Sequence, residues 1–303
     1  MHAYENRAAG IACIIGSTVF FASAGIFTKL TAADAWTIAG WRGLVGGVLI
    51  AAYAYWRGGH EARQLFPRLG IRGWMLTAAG AVSSIFFIGA FKATYVANVA
   101  AIYATVPFWA AGLDFLLRGL PARKLTMAIS VVSVLGVLII VSGGLGAGKL
   151  HGDLLALGMT LASALYLVMI RAFTTTPVMW AGAVMGFLLF VVSWFVTDPL
   201  AISSVDALII GGFGVSYAAA VILWTEGGRR LPAAEAGLLG AAEVPFAVLA
   251  AWMFLAELPP YASVLGGLIV LSAVLVHAGA DLAADARRKP GPAAEHPGAS
   301  PTA

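Results

Sequence analysis

The sequence predicts an all-α membrane protein of ten transmembrane helices, arranged as two inverted five-helix repeats. Composition is the first observation behind this: 61% of the 303 residues are hydrophobic and 11% are charged. Soluble domains run at about 25% charged and 45–50% apolar. The second is segment length. Apolar runs of roughly 20 residues lie between polar breaks, the length that crosses about 30 Å of hydrocarbon. They lack the period-2 alternation of an outer-membrane barrel, so each run reads as a helix that satisfies its own backbone in lipid. The third is where the cations fall, which follows from the spans.

The spans are read as residues 9–28, 35–56, 73–92, 96–117, 125–143, 152–170, 178–196, 207–227, 233–255 and 260–280. Ile11 to Phe21 followed by Ala22-Ser23-Ala24 has the outline of a signal peptide. Its apolar run continues through Ile26 and Phe27, and Glu5 offsets Arg7, so it reads as a retained first span. With the N-terminus inside, fourteen cations fall in inner segments: Arg7, Arg57, Arg63, Arg68, Arg72, Arg118, Arg123, Lys124, Arg171, Arg229, Arg230, Arg287, Arg288 and Lys289. Outer segments hold three, Lys29, Lys92 and Lys149, and Arg42 alone lies within a span. Basic residues retained on the inner side set this orientation, with both termini cytoplasmic in a cell inner membrane. The 36 glycines read as helix-packing surfaces. The single cysteine, Cys13, allows neither an internal disulfide nor a cysteine-based metal site.

Shifting the sequence by 138 residues lays Val106-Pro107-Phe108 on Val244-Pro245-Phe246, Leu120-Pro121 on Leu258-Pro259, and Gly89 on Gly227. Five spans per half is an odd number, so the second half enters the membrane in the opposite sense. That inversion is common in secondary transporters, with the solute held near the midplane between the halves. The expected division is 1–143 for the first repeat (spans 1–5) and 144–282 for the second (spans 6–10), with 283–303 a disordered cytoplasmic tail rich in Pro, Ala and Gly.

The run from Leu231 to Pro259, LPAAEAGLLGAAEVPFAVLAAWMFLAELP, resembles the second signature of the EamA family in the drug/metabolite transporter superfamily. Glu243 and Pro245 stand for its Glu-Pro pair with one residue inserted, and Glu257 for its terminal Glu. The first-half copy from Ala93 to Pro121 keeps Pro107 but has Thr105 and Gly119 in place of the two acids. The resemblance implies a carrier that exports or exchanges small organic metabolites. The chain's size suits the YddG-type amino-acid exporters within that family.

Charges within spans are costly and usually face a wet cavity or the bundle interior. Glu243, near the middle of the ninth span, has no Lys or Arg within one turn and reads as an ammonium ligand, a proton carrier, or a neutral structural carboxyl. Arg42, in the second span, can grip a carboxylate through two parallel bonds, or bridge to an acid such as Glu243 or Asp114. Helical spacing puts Gly240 and Phe246 on the side of Glu243, and Thr105 and Trp109 on the matching side of the fourth span. These six are the candidate substrate-binding residues. Pro107 and Pro245, read as lying inside helices, are the candidate hinges. Local pairing is expected for Glu226 and Glu235 with the arginines of the Gly227–Arg230 turn, and for Asp114 with Arg118.

Hydrolase, nucleotide-loop and zinc motifs are missing, and no loop is long enough to hold a catalytic domain. No cofactor or metal is implied. The expected partners are the lipid bilayer, a small-molecule substrate such as an amino acid, and protons as candidate coupling ions, but no nucleic acid. The expected function is secondary transport by alternating access, with a channel-like facilitator or an intramembrane enzyme as the other classes weighed.

Overall fold

A computed structural model describes residues 2–65, 69–119, 124–146, 148–231 and 233–288. Thirteen helices follow in chain order: α1 (His2–Ala22), α2 (Ala24–Leu30), α3 (Ala35–Leu65), α4 (Gly70–Ala93), α5 (Val96–Tyr103), α6 (Val106–Arg118), α7 (Lys124–Gly146), α8 (Leu150–Ala172), α9 (Val178–Val196), α10 (Ser204–Gly228), α11 (Ala233–Gly240), α12 (Glu243–Leu255) and α13 (Tyr261–Arg288). Among the described residues, ten stretches are long and apolar enough to cross a membrane. Every end lies within four residues of the sequence reading, the widest difference being 280 against 284. Large apolar side chains stay exposed around the bundle, among them Phe195, Leu208 and Leu116, as a lipid-facing surface requires. The last helix continues to Arg288, past the point where the tail was expected to begin; residues 289–303 lie outside the described residues.

Among the described residues, three spans are each built from two helices. In the fourth, Ala104 and Thr105 interrupt α5 and α6; in the ninth, Ala241 and Ala242 interrupt α11 and α12. Both interruptions tighten to three-residue bonds, Thr105 N–H to Ile102 at 3.1 Å and Ala242 N–H to Leu239 at 3.1 Å. Pro107 and Pro245 therefore do not sit inside continuous helices. They occupy the first turns of α6 and α12, where a helix has no intrahelical use for the missing N–H. Ser23 breaks the first span between α1 and α2, and its hydroxyl meets that of Ser216 at 3.0 Å.

The packing carries the repeat. The second span packs on the seventh (α3 on α9), and the fifth on the tenth (α7 on α13). The third packs on the sixth (α4 on α8) and, equivalently, the eighth on the first (α10 on α1). Exchanging the halves maps each pairing onto itself or onto its counterpart, as an approximate twofold axis demands. The two self-matched crossings are glycine on glycine. A Cβ on Gly43 would meet the Gly186 carbonyl oxygen at 2.8 Å, and one on Gly136 the Gly266 oxygen at 3.0 Å. These backbones touch, the close approach that small residues permit in lipid.

Polar contacts gather at the two ends. At one end Lys29 pairs with Glu257 at 2.7 Å, Lys92 donates to Thr31 O at 2.7 Å, and Asp206 accepts from Thr31 at 2.6 Å. Asp34 is there too: burial pushes its carboxyl up, but bonds from Thr37, Thr197 and Trp36 outweigh this and hold it below its ordinary value. At the other end Glu226 gathers Arg229 at 2.9 Å, Arg230 at 2.8 Å, Arg57 at 3.5 Å and the Tyr53 hydroxyl at 2.6 Å. Asp114 holds Arg118 at 3.0 Å and Arg171 at 3.3 Å, and Arg7 reaches Glu235 at 2.7 Å. Glu226 and Asp114 thus pair locally as expected and also tie down other spans, while Glu235 pairs across the fold.

Candidate functional site

Arg42 lies in α3 and is 4% exposed. One guanidinium nitrogen donates to the Ser84 hydroxyl of α4, and Nε has no partner. Three aromatic rings frame the cation: Tyr217 at 4.6 Å and Phe213 at 5.0 Å, both from α10, and Phe87 of α4 at 5.8 Å. Among the described residues no carboxylate pairs with it, neither Glu243 nor Asp114. A buried cation with free donor capacity and aromatic walls is costly to hold empty.

Glu243 opens α12 and lies deep in the bundle, in the first turn after the break. It has no ion pair or hydrogen bond among the described residues. Its electrostatic neighbour is Tyr103, the last residue of α5, which is also within reach of Tyr217 and of the Ser163 hydroxyl. Ser163 in turn meets Ser83 at 2.6 Å. Tyr166 of α8 also interacts electrostatically with Tyr217. Arg42 lies against Tyr217, and electrostatic interactions join Tyr217 to Tyr103 and Tyr103 to Glu243, so these four groups make a chain of electrostatic partners, a polar line that links helices of both repeats. Glu243 and the three tyrosines are each half-buried.

The remaining candidates are placed elsewhere. Thr105 turns its hydroxyl back to Ile102 O at 2.6 Å and closes the break. Trp109 packs beside Ala164 and Val168 of α8. Gly240 gives room to the Trp224 ring, which an added Cβ would meet at 2.7 Å. Phe246 packs at the edge of the central cluster around Val244 and Val99. Sequence reasoning missed the three tyrosines, together with Ser84, Phe87 and Phe213. The signal was available: Tyr103, Tyr166 and Tyr217 lie in the middle of spans, away from the interfacial belts where tyrosine usually sits.

If the breaks beside Pro107 and Pro245 act as hinges, Pro→Ala at either position changes turnover more than substrate affinity. Helix would then extend across the break while the polar line keeps its residues. Rates measured in proteoliposomes check this; unchanged rates in both single variants and the double assign the prolines a passive role.

A groove of about 440 Å³ between α7 and α13 is lined by apolar side chains such as Ile129, Val132, Leu268 and Val276, with Ser272, and holds no ionisable group. It faces outward and takes no part in the polar line.

The EamA-like transporter family model matches residues 8–142 and again residues 150–278. No curated protein matches the chain. Among solved structures, one titled only as the crystal structure of a protein superposes with a TM-score of 0.63 at 17% identity, covering 93% of this chain and 100% of that one. At that identity the likeness speaks to fold alone.

Proposed function

Because this chain belongs to the EamA-like transporter family, matched in both halves, and is therefore a membrane transporter of small molecules and not an enzyme, we propose that it exports amino acids or similar zwitterionic metabolites by alternating access. The observation that carries the reading is Arg42: a buried guanidinium with an unpartnered Nε, an aromatic frame and, among the described residues, no acid paired with it. Such a group suits a carboxylate that arrives with the solute. Glu243, at the far end of the tyrosine line, would accept the ammonium, and the rings would hold the side chain.

Uptake into proteoliposomes over a panel of amino acids, amides and amines tests the substrate class, and counterflow tests the mechanism. A carrier exchanges labelled for unlabelled solute through one alternating site, whereas a facilitator without alternation shows no such acceleration. Transport of amines and acids alike, with no advantage to zwitterions, would overturn the reading.

The cytoplasmic placement of both termini in an inner membrane belongs to the same proposal, supported by the cation count. In a Cys13→Ala background, a cysteine at Asp198 should label from the periplasm while one at Arg63 is spared. The opposite pattern would reverse the orientation.

A further inference from the structure

The half-helix α5, which ends in Tyr103, is held at its start by two acids from the second repeat. Glu257 accepts from Val96 N–H at 2.7 Å, and Lys29 neutralises it at 2.7 Å. The second acid is Asp153, in the first turn of α8, and it is fully buried. Its Oδ1 accepts from the Thr94 hydroxyl at 2.6 Å and from Asn98 Nδ2 at 2.9 Å. Its Oδ2 has no partner, and neither has Oδ1 of the same Asn98, which is 1% exposed. Two orphaned acceptors thus belong to one bonded carboxyl–amide pair.

Among the described residues no cation answers them. Among the described residues, the charged or titratable groups at this end of the surrounding elements are Lys92 of α4, Tyr95 and Lys149 at the starts of α5 and α8, His151 on α8 itself, and the Lys29–Glu257 pair. Lys92 donates to Thr31 O, Lys149 lies over the Tyr95 ring at 6.0 Å, and none interacts with Asp153. Space is also short: an added Cβ on Gly152 would meet the backbone of Ala93 and Thr94 at 2.6 Å. A hard metal ion wants six or more oxygens at 2.3–2.6 Å or a rigid octahedron, more than two free oxygens and this packing provide.

A proton fits. We infer that Asp153 and Asn98 form a proton-binding site, in which Asp153 Oδ2 takes up one proton from water and donates it to Asn98 Oδ1 while α5 is docked on α8. The step is COO⁻ plus H⁺ giving COOH, and it converts two unsatisfied acceptors into one hydrogen bond. The N-termini of α5 and α8 both lie close by and favour the anion. Burial without a counter-charge opposes them, so the proton is exchangeable. Its release would leave a naked carboxylate at the joint and loosen α5, the helix that carries Tyr103. This goes beyond the transport reading and holds whichever solute is carried.

Thermal unfolding of the full-length protein in detergent, from about pH 5 to about pH 9, tests the site. The proton stabilises the docked form, so stability is present at low pH and lost as pH rises. Wild type should lose roughly 2–4 °C or more in Tm over this range. Asp153→Asn, whose amide donates where the proton did, should stay flat and match low-pH wild type. Identical pH profiles in the two proteins would overturn the inference. So would a rescue of wild type at high pH by sodium, but not choline, at equal ionic strength. Should Asp153→Asn not fold, the infrared spectrum of Glu243→Gln protein decides: a protonated-carboxyl band lost on raising pH supports the site, and its absence at every pH refutes it.

Discussion

Arg42→Gln is expected to abolish discrimination between an amino acid and its amide, weakening binding of the acid by about tenfold to hundredfold. The figure follows from one buried charge-assisted contact, worth roughly 1.5–3 kcal/mol. The expectation rests on what Arg42 lacks: no acid among the described residues competes for it, and Ser84 occupies only one of its donors. Two accompanying results separate ligand binding from structure. A buried charge without a counter-ion costs stability, so Arg42→Gln should unfold at a temperature equal to or above wild type even as selectivity disappears. A residue that merely bridged to a neighbouring acid would show the reverse, lower stability with selectivity intact. Arg42→Lys keeps the charge but loses the planar fork, and its affinity should fall between the two. Glu243→Gln should act on the other end of the solute, erasing the preference for an amine-bearing molecule over its deaminated acid. Because Arg42 and Glu243 make no ion pair, the double variant should combine both losses and not restore either.

Much of this was written in the sequence, and what was not has a physical cause. Span number and position were legible because lipid demands about 20 apolar residues per helix, a long and strong signal. The cost of a midmembrane charge singled out Arg42 and Glu243 in the same way. The aromatic frame of Arg42 was not legible, since Phe87 and Phe213 look like any lipid-facing phenylalanine until the crossing of α3, α4 and α10 is known. Helical spacing also misled at the fourth span. It assumed one continuous helix through Thr105, but the break at Ala104–Thr105 changes the register, and Trp109 ends among α8 residues while Tyr103 faces Glu243. Proline signalled that break but not its place. In the first turn of the following helix Pro107 and Pro245 are compatible with regular structure, so the interruption lies just ahead of them. Asp153 escaped notice because it sits at the end of a span, where an acid normally meets water or a cation; only its complete burial makes it unusual.

Gly186→Val should remove most of the correctly folded protein, with a cost of about 1–3 kcal/mol or more from overpacking. The Gly43 carbonyl lies inside contact distance of a Cβ at this position, and its carbonyl carbon would be 2.8 Å away. Both obstacles are backbone, so no rotamer change relieves them; α9 would have to move off α3 along the axis that joins the repeats. Gly182, one turn earlier on the same helix, is the internal control, because nothing lies within 4 Å of an added Cβ there. Gly182→Ala should be neutral or slightly stabilising, as alanine is the better helix former by roughly 0.5–1 kcal/mol. The comparison also reaches the candidate site, since Gly43 follows Arg42 directly in α3. A smaller insult, Gly186→Ala, should leave folded protein whose α3 is displaced, and its solute affinity should fall although no candidate-site residue has changed. Measuring monodisperse yield, Tm and uptake for the three variants separates these effects. Equal behaviour of Gly182→Ala and Gly186→Ala would mean that the crossing tolerates a methyl group, and that contact between the repeats at this point does not set the position of Arg42.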